Sequence, residues 1–131
     1  MDEVYNISLT RSLLNAALRV VMEASGNIDQ PPLLHIEKFV TRKDENGRVW
    51  NDGQKVTRRE ALYMSNNWAA YYTGDEEILV TIDPGKLADL VVIDGDYLTF
   101  SEDEIGSFRL PCPWSTAGLF SSRNRSSPDY A

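Results

Sequence analysis

Apolar positions along the chain fall into short periodic stretches separated by turn-forming polar runs. Leu9, Leu13, Leu14, Ala16, Ala17 and Leu18 gather on one side of a 3.6-residue period, which predicts an amphipathic helix with Ser8 or Thr10 as its N-cap. The run from Arg19 through Val20 and Val21 to Met22 is short and β-branched, as a buried strand is. Ala24 to Asn27 breaks it, and Pro31-Pro32 opens a new element with proline in a first helical turn. Leu33, Leu34, Ile36, Phe39 and Val40 mark the apolar face of that helix. Helix, strand, loop, helix is the rhythm of a layered α/β protein, and α/β is the expected fold class.

Residues 41–56 read as an excursion over the surface, with turn signatures at Asp44 to Gly47 and at Asn51 to Gly53. Thr57 and Glu60 then form a capping box, in which each side chain satisfies the other's backbone amide. Ala61, Leu62, Ser65, Trp68, Ala69 and Tyr72 recur at three- and four-residue steps, which predicts one helix ending at Gly74. Beyond it, Pro84-Gly85 occupies the central positions of a type II turn. Ala88 to Asp94 follows as a strand whose continuous apolar middle is expected to be covered on both faces. Asp94 to Asp96 ends it, and Ser101 to Glu104 is placed to cap one helical turn. From Ser107 onward six Ser, three Pro and no period predict a disordered tail.

Length and charge narrow the classes. The 131 residues suffice for one domain with a real core, and 42% hydrophobic with 25% charged residues is a globular composition. Thirteen Lys and Arg against twenty Asp and Glu leave a net charge of −7, which argues against a nucleic-acid partner. That balance is uneven: the tail carries Arg109, Arg123 and Arg125 against Asp129. The single Cys112 excludes an internal disulfide framework, and the single His35 excludes a multi-histidine metal site built from this sequence alone. No run reaches the ~20 apolar residues that span a bilayer. The acidic start at Asp2 and Glu3 is unlike a signal peptide, so the expected location is cytoplasmic with no membrane partner.

The helix TRREALYMSNNWAAYYTGDEE and the following TIDPGKLADLVVIDGDYLTFSEDEI resemble the C-terminal end of the amidohydrolase superfamily, in its amidohydrolase 3 branch. That family carries an Ile-x-Pro-Gly-Lys-x-Ala-Asp-Leu-Val-Val-hydrophobic-Asp signature, and every marked position is filled between Ile82 and Asp94. NIDQPPLLHIEKFVTRKDENGRVW is similar to the loop and helix after the eighth barrel strand, so the resemblance covers roughly residues 10–106. It implies the C-terminal part of a metal-dependent hydrolase TIM barrel over 1–74 and a partial β-sandwich over 75–106, with 107–131 outside both. The implied activity is hydrolysis of non-peptide C–N bonds in a small-molecule, amide-type substrate by metal-activated water, with a divalent metal such as zinc.

The resemblance does not bring the metal ligands with it. The family uses a His-x-His pair, a carboxylated Lys or Glu, two further His and an Asp from the last strand, and a full barrel takes ~250 residues. Ser25-Gly26 stands where the Asp is expected, leaving Glu23 or Asp29 as substitutes against a reading of Asp29 as a turn former. No catalytic, cofactor or metal residue is therefore assigned, and the chain alone is expected to be inactive. Asp89 reads either as a tuned acid or base or as a carboxylate bonded to turn amides. His35 reads either as a substrate contact at the barrel mouth or as filler of a helix–loop interface. Trp68, Tyr71 and Tyr72 read as core and rim of a helix rather than a base-stacking platform. Asp75 to Glu77 and Glu102 to Glu104 lack calcium-loop spacing and read as solvated charge, and Cys112 reads as an exposed thiol.

Two departures from the family stand out. Val80 takes a position the family usually gives to Gly, and the closing sandwich strand, which the family ends with Gly-Lys/Arg-Val-Val-Tyr/Phe, is absent. Permitted codons for Leu110 to Asn124, read two bases on, spell PLSMVDGRVVFVAE, which suggests a frameshift near Phe108 to Leu110. Three functions follow: a C-terminal amidohydrolase fragment, a non-catalytic interaction module derived from one, and a complete small enzyme. A fragment with its apolar surface uncovered is expected to self-associate, aggregate or be molten.

Overall fold

A computed structural model of the chain describes residues 8–23, 31–87 and 89–108. Proline sets the start of its longest helix. Pro32 stands at the first helical position of α2 (Pro32–Thr41), where its fixed φ suits the helix and its missing N–H leaves nothing unpaired. Ile36 and Val40, one turn apart, are buried on the inner face. The helix stops at Arg42 in a left-handed conformation (φ 59°), and the chain doubles back through a turn in which Gly47 takes φ 76°. An isolated antiparallel bridge between Lys43 and Val49 closes that turn. A single 3-10 turn, Asp52–Gln54, leads to the next helices.

Two earlier helices differ from expectation. α1 (Thr10–Asn15) is shorter than the apolar period, and its N-cap is Leu9, with no side-chain cap; Thr10 lies inside the helix and is buried. The expected single helix after the capping box is two helices, α3 (Arg58–Ser65) and α4 (Asn67–Thr73), broken at Asn66 (φ −123°, ψ −80°). Short polar side chains compete with the helix for its own carbonyls: Ser65 Oγ (3.2 Å) and Asn66 Nδ2 (3.1 Å) both donate to Leu62 O. Local signals elsewhere are realised. Thr57 and Glu60 make both halves of the capping box, and Gly74 ends α4 at φ 77°, with Asp75 N bonded to Ala70 O at 2.9 Å.

Among the described residues there is no strand, and so neither a barrel nor a sandwich. Residues 19–22 and 89–94 are irregular, although Met22 N does bond Met64 O at 3.1 Å. The expectation that the second run is covered on both faces is not met: Val91 is 65% and Val92 63% exposed. A ladder needs a neighbouring backbone, and β-propensity alone does not create one.

The core joins α2, α3 and the C-terminal 3-10 helix (Glu102–Ser107), through Ile36, Val40, Val56, Ala61, Met64, Tyr97, Ile105 and Phe108. Close approach of the 3-10 helix to α2 requires a glycine, since a Cβ on Gly106 would meet Leu34 Cα at 3.0 Å. Gly106 N also donates to Glu37 Oε2 at 2.7 Å. Two Arg side chains staple the rest. Arg11 reaches from α1 to Glu60 with two bonds of 2.7 and 2.5 Å and to Lys55 O at 3.0 Å. Arg58 donates to Tyr97 O (2.7 Å) and Phe100 O, and Tyr97 Oη returns a bond to Arg58 O at 2.9 Å.

Candidate functional site

The segment after Gly74 folds under α4 by bonding its own backbone. Pro84-Gly85 forms the expected turn, with Gly85 at φ 92° and Lys86 N bonded to Asp83 O at 3.2 Å. Leu87 N bonds Ile78 O at 2.9 Å, and the Lys86 ammonium donates to Glu76 O (2.7 Å) and Leu79 O (3.4 Å). Val80, before the turn, takes φ 66°, a conformation that a β-branched side chain resists and glycine does not.

This arrangement leaves an open cavity of about 460 Å³ between α4 and the loop, walled by Ala69, Ala70, Val80, Ile82 and Leu87 and edged by Ser65, Thr73, Lys86 and Asp89. Three of its polar edge groups turn to nearby backbone. Ser65 Oγ donates to Leu62 O, Thr73 Oγ1 to Ala70 O, and Lys86 to two carbonyls. Among the described residues no nucleophile–base pair is formed there.

The remaining candidates are dispersed. Asp89 is exposed at the cavity rim, so it is not a buried acid, and it makes no hydrogen bond among the described residues. Glu23 is exposed, and Asp29, Ser25, Gly26, Cys112 and the tail from residue 109 lie outside the described residues. His35 is half-buried on α2, lines neither this cavity nor the one below, and its Nε2 is buried without a hydrogen-bond partner. Trp68 stacks on Tyr63 (5.9 Å between rings) and packs against the core, Tyr71 lies 3.9 Å beneath the Arg19 guanidinium, and Tyr72 is 81% exposed. The acidic run at the C-terminal 3-10 helix is a docking edge: Asp103 bonds Lys43 at 2.6 Å, and Glu102 lies 3.9 Å from Arg58. Among the described residues no three His, Cys, Asp or Glu side chains converge as a metal site.

A second hollow of about 490 Å³ lies at the end of α2, between Lys38, Arg42, Lys43, Asp44, Glu45 and Trp50. Asp44 organises it by accepting from Asn46 N, Arg48 N and Trp50 Nε1 at 2.9, 2.9 and 2.8 Å. Those bonds, led by the Trp50 indole, hold its carboxyl below the usual aspartate value. Arg42 is shifted down by burial. On the other side of the core, burial pushes the Tyr97 phenol up to about 12, which keeps its hydroxyl a donor to Arg58 O.

Sequence reading did not find the Arg11 and Arg58 staples. Glu60 was legible as a capping residue, but nothing local announces that the same carboxylate also receives a guanidinium from 49 positions away.

A model of the amidohydrolase family matches residues 5–114, and the chain belongs to that family. Comparison with curated proteins and with solved structures returns no match. Among the described residues, no helix is long and apolar enough to cross a membrane.

Proposed function

We propose that these residues form the C-terminal portion of a metal-dependent amidohydrolase acting on non-peptide C–N bonds of a small amide-type substrate, and that the chain alone does not perform the reaction. The family match over residues 5–114, which includes the filled signature from Ile82 to Asp94, carries this reading. The residues present do not fit a catalytic metal. His35 is the single imidazole, Glu23 stands apart on the surface, and no ligand group converges among the described residues. In this reading 1–74 are barrel-end segments, 75–106 part of the small sandwich domain, and 107–131 a tail that leaves the frame near Phe108 to Leu110, in a cytoplasmic protein.

The DNA on both sides of this reading frame tests it. Upstream codons for His-x-His and the other ligands, with a Gly-Arg-Val-Val-Phe strand downstream in a shifted frame, are the expected result. Flanks that spell neither overturn it. A second reading, a non-catalytic interaction module, is favoured by the exposed apolar run Leu90, Val91 and Val92. It predicts that the chain holds a stable partner without any hydrolase sequence nearby.

A further inference from the structure

We propose that Asn46, in the hairpin after α2, is a site of self-modification: the Gly47 backbone nitrogen converts its side-chain amide to isoaspartate, and Asp44 gates the reaction. The chain holds eight asparagines, and Asn46 alone is followed by glycine. Attack requires the next residue's nitrogen to swing onto the asparagine Cγ, which a side chain on that residue obstructs and glycine does not. Gly47 stands at φ 76°, and nothing lies within 4 Å of the place a Cβ would take. Residues 45–49 are exposed, so water reaches the amide. The other described asparagines are worse placed. Asn15 is followed by Ala16, Asn51 by Asp52 and Asn67 by Trp68, and the Asn66 amide is engaged with Leu62 O at 3.1 Å.

The bond between Gly47 N and Asn46 Cγ closes a five-membered succinimide as the Cγ–Nδ2 bond breaks, and the Gly47 amide proton leaves with the departing ammonia. Water then opens the ring. Cleavage of the original peptide bond leaves the chain running through Cγ, as isoaspartate, and cleavage of the new bond leaves aspartate. One water is consumed and one ammonia released, with no oxidant or reductant. The closed hairpin opposes this step. Gly47 N donates to Asp44 O at 3.0 Å and must leave it before turning onto Cγ. The Asp44 carboxylate holds both flanks, accepting from Asn46 N and Arg48 N at 2.9 Å each and from Trp50 Nε1 at 2.8 Å. None of residues 43–50 belongs to the core, so the hairpin opens without the core unfolding. Isoaspartate adds a backbone atom between the two amides that Asp44 bonds together and sets a second carboxylate beside it. The modified hairpin therefore stays open.

Incubation of the full chain at neutral pH over days, followed by peptide mass analysis, reads this out. Trypsin cuts after Lys43 and Arg48 and releases Asn46 apart from every other asparagine. The expected result is the amide-to-acid mass gain at Asn46 ahead of all other asparagines, mostly as isoaspartate by methyltransferase labelling, and its loss in Asn46→Gln. Asp44→Ala is expected to speed the conversion at least about tenfold, the worth of one charge-assisted hydrogen bond, and to react like the unsubstituted chain in concentrated urea. Glu60→Gln weakens the core without touching the hairpin, and its rate is expected to stay within about twofold of the unsubstituted chain's. No conversion at Asn46, or faster conversion at another asparagine, overturns the proposal. So does an Asp44→Ala chain that reacts no faster, or a Glu60→Gln chain that gains as much as Asp44→Ala, since the gate is then not the hairpin. Flanking DNA decides the amidohydrolase reading, whereas these rates decide this one.

Discussion

Glu60 is the residue on which two elements depend at once. Its carboxylate closes the capping box of α3, accepting from Thr57 N at 2.7 Å, and takes the paired bonds of Arg11 from α1. The Arg11 guanidinium, ahead of the Thr57 bonds, lowers the Glu60 pKa from 4.5 to about 2. Taken whole, that shift corresponds to about 3 kcal/mol of stability in the ionised form. The side chains of Arg11 and Glu60 are 25% and 29% exposed, so water screens the pair, and about 1–2 kcal/mol is the working figure. Because the folded-state pKa is depressed, this contribution is fully present above 4.5 and is lost as pH falls toward about 2. Glu60→Gln keeps an oxygen for the cap but removes the charge. At neutral pH it is expected to lower the unfolding free energy by about 1–2 kcal/mol. The deficit should shrink steadily below pH 4.5, because the unsubstituted protein loses the same interaction by protonation. Urea unfolding followed by Trp50 and Trp68 fluorescence, at dilutions where association does not compete, measures both. A deficit that stays constant down to acid pH refutes the argument. So does a double variant with Arg11→Met whose effects add without coupling.

Three further outcomes follow from geometry. Gly106→Ala should destabilise by about 1–3 kcal/mol in the same urea assay, because its Cβ would press on Leu34 Cα, which is backbone and yields only by moving α2. At Val80, φ 66° makes Gly preferable to Ala: Val80→Gly should be more stable than Val80→Ala by about 1 kcal/mol, and equal melting temperatures would show that no left-handed strain is stored. The Trp50 indole N–H resonance should titrate with Asp44 at a midpoint below the ordinary aspartate value of 3.8, because the folded form favours the carboxylate. The hairpin is thus held above that range and loosens as pH falls through it, and Asp44→Ala should remove the titration.

What the sequence revealed and what it hid divide by distance along the chain. The capping box, the Gly74 terminus and the Pro84-Gly85 turn are legible because each is satisfied within a few residues. The break at Asn66 was also local, yet the apolar period runs across it unchanged, and the competing signal lies in the polar residues Ser65 and Asn66. The Arg11–Glu60 and Arg58–Tyr97 staples join positions about 40–50 residues apart, where charge alone names no partner. Glu102 and Asp103 read as solvated charge and stay about half exposed, at 53% and 55%, although each also meets a cation from a distant element.

Many polar groups are satisfied from within this chain, including Ser65, Thr73 and Lys86 at the cavity under α4, which turn to nearby carbonyls. Groups that need another backbone or another apolar face are not: Leu18 and Leu13 on the first helix stretch, Ile82 at 88% exposure, and the run from Leu90 to Val92. Burial of one such aliphatic side chain is worth roughly 1.5–3 kcal/mol, so several left outside a fold are a standing drive toward association. The exposed run after the Pro84-Gly85 turn combines that drive with an unpaired backbone, whereas exposed leucines on α1 offer only a face.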